Sequence, residues 1–501
     1  MPHTIKYPGV YVEDTASGIR AIAGVETSIT AFIGRTSMGP VNVPVSIRSF
    51  AEYTRVFGGF WSKSSMGVSV RDFFNNGGQQ SVIVRVHNGA KPATFRIPTS
   101  RRGQFLQLEA ANPGVWGNEV RVQTRRHAGD PTLFTLIAED IDPGTQVVFH
   151  GETYEEVSIS PNHPRFLPLV LKRESRLVKS VRTEEKPVMP MAVAIDSIKL
   201  KPVTEGTDGR AVTKPQILKG LTALDQCDPF NILCIPPYRS DGNVDESVVS
   251  AAASYCEQRR AFFIIDSPIT WTDAAKAKTG FSAGIGTSSA NAALFFPRIK
   301  HINLLKNGRT ETFAACGAIA GVFARTDSER GVWKAPAGTE ASIAGVDGLS
   351  VALNDAQNGE LNPLGVNCLR SFPSSGNVVW GSRTLQGADG LASDWKYIPV
   401  RRTALFIEES LYRGTQWVVF EPNDAPLWAQ IRLNAGAFMN RLFRQGAFQG
   451  QTPKDAYFVK CDSTTTTQND INLGIVNIVI GFAPLKPAEF IVIKIQQKAG
   501  Q

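Results

Sequence analysis

The chain has 501 residues, of which 42% are hydrophobic and 20% are charged, and its formal net charge is +8. This length exceeds what a single hydrophobic core usually serves, so we expect a globular protein of two to four domains and not a disordered chain. Lysine and arginine are spread along the sequence with acids between them, which predicts a solvated surface, or a basic face for an acidic protein partner, and argues against direct nucleic-acid binding.

The lack of an export signal and the spacing of the cysteines argue against exported, membrane-inserted and zinc-binding proteins. The opening residues 1–4 have neither a basic nor an apolar signal region, and no apolar run approaches the roughly 20 residues that span a bilayer. We therefore expect neither Sec export nor membrane insertion. The cysteines lie far apart without a CxxC pair, which predicts reduced, mostly buried thiols in a cytosolic setting and no structural zinc. They are Cys227, Cys234, Cys256, Cys316, Cys368 and Cys461.

The N-terminal residues 1–24 are predicted to form an arm. A short strand, YPGVYVE at 7–13, is followed by a polar stretch to Gly24 and then by a second strand at 25–34. The segment between them is flexible in composition, so the arm either reaches outside its own subunit or folds back as an edge strand of its own domain. The residues alone leave both alternatives open.

Residues 25–90 and 216–360 show the alternation of helices and strands that is typical of a layered sheet with helices on its faces. This pattern predicts a middle α/β domain. Helices are predicted at 51–57, 68–75, 217–224 and 244–258, and strands at 81–86, 230–236, 261–266 and 292–297.

Residues 91–215 have a different character. Short apolar strands at 105–108, 119–123, 134–137 and 146–150 alternate with glycine, proline and basic turns, and helical periodicity is nearly absent, so we expect an inserted, mostly β domain. Its last part, 182–214, is rich in Lys, Glu, Pro and Thr, which predicts a mobile loop or linker.

Candidate catalytic residues are few. Asp266 follows a predicted buried strand, a place where active-site carboxylates occur, although a carboxylate that caps a helix or a turn is the commoner explanation. Gly77-Gly78 lacks the lysine of a phosphate-binding loop, and its helix precedes it. The histidines have no metal-binding spacing and no acid partner nearby in sequence.

Ser282 lies in a GFSAG sequence at 280–284 that matches the G-x-S-x-G pattern of α/β-hydrolase nucleophiles. That pattern requires a strand before the serine and a helix after it. Residues 274–278 do not read as a strand and 284–289 do not read as a helix, so a Gly/Ser-rich loop is the better interpretation. A hydrolase that uses Ser282 stays as an alternative, and we otherwise expect no enzyme, no cofactor and no metal.

The C-terminal part has a recognisable order of elements. We predict a helix at 399–413, a strand at 415–420, and a second helix that begins after Asn423 or Asp424, has Pro426 in its first turn and ends at Gly446. Apolar residues of this second helix recur at helical spacing on one face. The apolar strands predicted at 474–480 and 490–495 do not alternate, which indicates that both of their faces are covered.

Several segments in one order resemble the tail sheath proteins of contractile bacteriophages and of related contractile injection particles. The N-terminal segments are YPGVYVE (7–13), TSITAFIG (27–34), FGG (57–59), FNNGG (74–78) and VRV (84–86). The later segments are PGVWGN (113–118), RTD (325–327), GVWKAPAG (331–338), LNPLGVN (361–367) and WGSRTL (380–385). The likeness covers nearly the whole chain and is weakest over 124–215.

The resemblance implies a structural subunit, without enzymatic activity, that polymerises around an inner tube and contracts to drive the tube through a target cell envelope. It implies a fold of an inner α/β domain made from the arm 1–24 and residues 361–501, the middle α/β domain, and an outward inserted β domain. A sheath-like baseplate or cap subunit is the alternative within the family. The implied partners are other copies of the chain, the inner tube protein, and baseplate and cap proteins, in a virion or in a tail-like particle that is assembled in the bacterial cytoplasm.

The resemblance also implies particular contact residues. The second C-terminal helix carries Arg432, Arg441 and Arg444 away from its apolar face, where a solvated polar face and a tube-facing surface are both open. Terminal arms of the family add strands to sheets of neighbouring subunits. The residues implied for this role are Val10, Tyr11, Val12, Phe490, Ile491, Val492, Ile493 and Ile495.

Overall fold

The computed structural model describes residues 21–99, 102–142, 144–181 and 196–490. The chain divides into two compact units, a long unit of Glu26–Arg402 and a terminal unit of Met1–Val25 with Thr403–Gln501. The strands, in chain order, are β1 Thr30–Gly34, β2 Val45–Ile47, β3 Ser81–Arg85, β4 Thr94–Pro98, β5 Phe105–Ala110, β6 Val120–Arg126, β7 Phe134–Ile141, β8 Val148–Val157, β9 Val178–Ser180, β10 Ile232–Cys234, β11 Phe262–Asp266, β12 Ala292–Phe296, β13 Ile299–Asn303, β14 Arg309–Phe313, β15 Gly348–Leu349, β16 Val366–Phe372, β17 Gly376–Val379, β18 Tyr457–Lys460 and β19 Val479–Phe482.

Within residues 25–90 and 216–360 helices alternate with strands, as predicted. In chain order the helices are α1 Phe50–Phe57, α2 Met66–Asn75, α3 Leu167–Glu174, α4 Lys214–Ala223, α5 Glu246–Gln258, α6 Ala274–Ala283, α7 Cys316–Arg330, α8 Asp355–Leu361, α9 Ile398–Gly414, α10 Ala425–Arg444, α11 Pro453–Ala456 and α12 Gln468–Asn472. Several of them begin at polar caps. In α1 the side chain of Ser49 accepts from the N–H of Glu52, and in α5 Asp245 accepts from the N–H of Ser247.

An eight-stranded sheet forms the core of the long unit. Its strand order is β17-β16-β12-β11-β10-β1-β3-β2, with parallel pairing from β16 to β3 and antiparallel strands at both edges. All residues of β1, β3 and β12 are buried, because helices cover both faces of a parallel sheet. The sheet takes in β16 and β17, which lie beyond the boundary that we predicted at 360.

Small residues set the packing of α2 against α7. A Cβ atom at Gly317 of α7 would collide with the backbone carbonyl of Ser69 in α2, and one at Gly321 would lie 2.5 Å from the carbonyl oxygen of Phe73. Glycine at both positions therefore allows the two backbones to approach closely.

Residues 91–215 contain two antiparallel sheets, β4-β5-β9 and β6-β7-β8, that share one apolar core. The expectation that this part has almost no helix was incomplete, because α3 forms and buries Leu167 and Leu171 in that core. The predicted loop lies partly outside the described residues. Its described part is held by backbone hydrogen bonds, from Leu200 to Val122 and from Thr207 to Lys91, so it is not a free linker.

The terminal unit centres on α10, whose start is as predicted. Asp424 accepts from the N–H of Leu427 and a proline lies in the first turn. The predicted apolar face is confirmed by the buried residues Leu427, Trp428, Ile431, Ala435, Phe438, Met439 and Leu442.

The strand predicted at 415–420 was wrong, and the one predicted at 474–480 was only partly right. Residues Gln416–Val418 form a 3₁₀ turn, and of the second segment only residues 479 and 480 lie in a strand, Val479–Phe482. Other apolar side chains of the two segments cover α10 and do not enter a sheet, since Trp417, Val418, Val476 and Ile478 pack on Leu427, Trp428 and Ile431. The mixed α/β architecture with several sheets is thus established, while the inner, middle and outer layering stays a prediction.

Candidate functional site

Asp266, at the end of β11, caps a helix. Its Oδ1 accepts from the backbone N–H groups of Ala315 and Cys316, at 2.7 and 2.8 Å, where α7 begins. Burial raises the pKa of this carboxyl group, and these hydrogen bonds and Arg298 act in the opposite direction. The contacts agree with the helix-capping interpretation of Asp266.

Ser282 does not stand on a nucleophile turn. It lies in α6, in the last turn before Gly284, and its side chain is exposed. The serine therefore follows helical residues, whereas the hydrolase arrangement places a strand before the nucleophile and a helix after it. The predicted loop begins only at Gly284, because residues 274–283 are helical.

A cavity of about 390 Å³ lies at the carboxyl end of the eight-stranded sheet, near Tyr238, which follows β10. Ligands of such sheets often bind where the strand order reverses, which here is between β1 and β10. The basic side chains of its wall already have acidic partners, in the pairs Lys63–Asp208, Arg71–Asp72, Arg239–Asp241 and Lys306–Glu311. The wall therefore offers little uncompensated positive charge to an anionic ligand.

His301 has an acid partner that the sequence did not reveal. Its Nε2 lies 2.8 Å from Oδ2 of Asp72, and its Nδ1 lies 3.1 Å from Nη2 of Arg71. Because arginine only donates, Nδ1 accepts and Nε2–H donates to the carboxylate. The partners are more than 200 residues apart in sequence, and this buried group ties α2 to β13.

Two further features have no candidate in the described parts of the chain. In the four described ranges no helix combines the length and the hydropathy needed to cross a bilayer. Within the same ranges no three His, Cys, Asp or Glu side chains are grouped so that they could hold a metal ion.

The three predicted contact arginines all lie on α10, but their environments differ. Arg432 is half-buried and donates to the carbonyl of Cys461. Arg441 is exposed, donates to the carbonyl of Ile22 at 2.5 Å and lies over the ring of Phe438. Arg444 is exposed at the end of the helix. The structure therefore places the three on one helix, where Arg441 and Arg444 are exposed and Arg432 is half-buried.

A two-stranded antiparallel sheet, β18-β19, is the second feature of the terminal unit. Tyr457 pairs with Phe482 and Lys460 with Val479, and among the described residues no third strand joins them. Such a sheet is marginal alone and has unpaired backbone groups along its edges. Phe458 and Val479 are 48% and 45% exposed.

The predicted strand arms fall mostly outside the described residues. Val10, Tyr11, Val12, Ile491, Val492, Ile493 and Ile495 lie there. Phe490 is described, is outside regular secondary structure and is 76% exposed.

Comparison with known proteins adds independent evidence. Residues 210–385 match the phage tail sheath protein central domain, and residues 392–498 match the phage tail sheath C-terminal domain. The tail sheath protein of Burkholderia phage BcepMu is 25% identical over 462 residues, which cover 88% of this chain and 87% of the relative.

Solved structures agree in fold. A chain of the anti-feeding prophage baseplate superposes with a TM-score of 0.58 and 24% identity, covering 99% of this chain and 100% of that one. A chain of the PVC sheath complex in its contracted state, from an extracellular contractile injection system, gives a TM-score of 0.60 and 21% identity, with 99% of both chains covered. The two domain matches together span more than half of the 501 residues, and the chain belongs to the phage tail sheath family.

Proposed function

We propose that this protein is the structural subunit of a contractile tail sheath, which polymerises around an inner tube and shortens to drive that tube through a cell envelope. The observation that carries the proposal is the similarity to a tail sheath protein along nearly the whole length of both chains. The subunit acts through its contacts and not through catalysis, in a virion or in a tail-like particle.

The β18-β19 sheet supports a specific way of joining subunits. A strand from another copy satisfies the unpaired edge groups of such a sheet. Each backbone hydrogen bond contributes only about 1 kcal/mol net, but a strand forms several and each subunit repeats them. The arm residues Val10–Val12 and Phe490–Ile495 are the proposed added strands. Because each arm belongs to one copy and pairs with the sheet of another, copies can move apart without losing their connection.

Contact with the tube is proposed for Arg432, Arg441 and Arg444. Exposed ion pairs contribute roughly 0 to 1 kcal/mol each, which suits a sheath that must slide along its tube. Arg444 is exposed, whereas Arg432 and Arg441 also hold backbone carbonyls, so Arg444 is the first candidate for this contact.

Negative-stain electron microscopy of the purified protein tests the proposal. We expect striated hollow tubes, and a protein that stays monomeric at all concentrations and salt conditions would contradict it. A sheath-like baseplate or cap subunit is the second candidate, favoured by the likeness to a chain of a baseplate structure. That candidate predicts closed rings without tubes.

A further inference from the structure

A tight turn connects α9 to α10 and presents a phenylalanine to solvent. Val418–Glu421 is closed by a hydrogen bond of 3.1 Å from the N–H of Glu421 to the carbonyl of Val418. Val419 has φ −64° and ψ 127°, and Phe420 has φ +72°. These are the angles of a type II turn, whose third position requires a positive φ.

Phenylalanine is an unfavourable residue at that position. The left-handed region brings the Cβ atom too close to the following carbonyl, so glycine, or asparagine, usually occupies the third position of a type II turn. A bulky residue with positive φ is a true outlier and raises the energy of the folded monomer. Strain of this kind is typical of functional sites.

The side chain of Phe420 gains nothing inside the monomer that offsets this strain. It is 103% exposed, and its neighbour Val419 is 62% exposed. Apolar side chains in the same loop behave differently, because Trp417 and Val418 pack on the core beneath α10. The loop therefore separates residues that serve the fold from a pair that projects outward.

Hydrogen bonds hold the loop on both sides of the turn. Thr415 donates its backbone N–H and its hydroxyl to the carbonyl of Leu411. Asn423 donates to the carbonyl of Ile475 at 2.9 Å and accepts from the indole N–H of Trp428 at 2.9 Å. An exposed aromatic side chain on a pre-organised loop loses little conformational entropy on binding, which is the property of an interface anchor.

We propose that Phe420, with Val419 beside it, is an anchor that packs against an exposed apolar surface on a second copy of this chain. This inference rests on the proposed function. A helical polymer needs a heterologous contact, in which one surface of a subunit fits a different surface of the next. The terminal unit also exposes Leu433 and Leu473, by 54% and 66%, so another copy offers apolar surface to receive the ring.

Substitution at position 420 separates assembly from stability. Phe420→Gly and Phe420→Asn both remove the ring and suit a positive φ. We expect the monomer of Phe420→Asn to melt at a temperature equal to or above that of the wild type, and tube formation to require at least about tenfold more protein. A side chain that merely supports the fold predicts the reverse, with a lower melting temperature and unchanged assembly.

A matched control is Phe149→Asn. This substitution removes another exposed phenylalanine, 69% exposed, from ordinary extended backbone in β8. We expect it to assemble at the wild-type concentration. Equal loss of assembly in both variants would mean a general effect of surface hydrophobicity and would overturn the proposal, as would wild-type assembly of Phe420→Asn.

Photo-crosslinking identifies the partner. With p-benzoylphenylalanine in place of Phe420, we expect a crosslinked dimer of this chain, whether the tube protein is present or absent. Crosslinks only to the tube protein, or none at all, would overturn the assignment of a second copy. If the wild type forms no tubes, the proposed function fails, and the presence or absence of the crosslinked dimer still decides the inference.

Discussion

Arg402 and Asp327 form a buried ion pair in the long unit. The side chains are each 3% exposed, and Nη1 and Nη2 of the arginine lie 2.8 and 2.6 Å from the two carboxylate oxygens. Nη2 also donates to the carbonyl of Thr27, and the guanidinium lies over the ring of Phe323. The pair therefore links three parts of the long unit. They are α7, which holds Asp327, the first residues of the unit, at Thr27, and its last residue, Arg402.

Asp327→Asn is expected to destabilise the long unit strongly. It leaves the Arg402 guanidinium buried without its counter-charge, and breaking a buried pair in this way costs about 3–5 kcal/mol. Chemical denaturation measures the change. The matched control is Asp241→Asn, which breaks the ion pair between Arg239 and Asp241. The side chains of this pair are 62% and 64% exposed, so the substitution should lower the unfolding free energy by no more than about 1 kcal/mol. Similar losses of unfolding free energy in both variants would contradict the difference in burial between the Arg402–Asp327 pair and the Arg239–Asp241 pair.

The buried carboxyl group of Asp266 should make the stability of the protein depend on pH. Burial raises its pKa in the folded protein, so its contribution to stability is present below the ordinary carboxyl pKa and is lost as the pH rises through the folded pKa. The unfolding free energy of the wild type, relative to that of Asp266→Asn, should therefore fall as the pH rises above about 4. Thermal unfolding across this range measures the difference.

The control for that experiment has the opposite sign. A hydrogen bond from the hydroxyl of Ser247 lowers the pKa of Asp245, so its contribution is present at neutral pH and is lost as the pH falls. Wild type relative to Asp245→Asn should therefore gain stability as the pH rises. If the stability differences for the two variants changed in the same direction with pH, the opposite pKa shifts of Asp266 and Asp245 would be refuted.

At the scale of elements, the most regular parts could be predicted from sequence. α10 has an uninterrupted apolar period between the Asp424 cap and Gly446, and the central strands are continuous apolar runs, so local pattern determines both. The segments 415–420 and 474–478 are also rich in apolar residues. Several of their apolar side chains pack on the cluster that contains Trp428, and this tertiary packing overrides their preference for strand structure. The pairs His301–Asp72 and Arg402–Asp327 depend on long-range contacts, which one sequence does not contain.

The strand arms yield a prediction at this scale. Deletion of residues 1–20, or of 489–501, should leave a folded protein that does not polymerise, because the β18-β19 edge then lacks the strand that another copy donates. Circular dichroism checks the fold, and sedimentation checks assembly. Normal tubes from either truncated protein would show that the arms do not connect subunits.

Charge reversal on α10 tests the tube contact. The triple variant Arg432→Glu, Arg441→Glu and Arg444→Glu should lose co-assembly with the tube protein, because like charges then face each other across the contact. Arg444→Glu alone is the cleanest variant, since Arg432 and Arg441 also hold backbone carbonyls of their own unit. Reversal of the exposed Lys172 and Arg173 on α3 is the matched control, and equal loss in that control would point to net charge alone.

At the scale of the whole molecule, the two units have different contents. The long unit holds the eight-stranded sheet, the inserted β sheets and the buried charge pairs, and its candidate carboxylate Asp266 caps α7. The terminal unit contains both chain ends, the open β18-β19 sheet and the exposed turn at Phe420. This distribution agrees with a protein whose activity is its own assembly.

Copies of this chain are proposed to connect through strands added to the β18-β19 sheet. A cryo-electron microscopy reconstruction of tubes formed by the wild-type protein tests it most directly. We expect density for at least one strand from another copy, paired with an edge of β18 or β19. Tubes in which that sheet contains only its own two strands, or a protein that forms no tubes, would contradict the account.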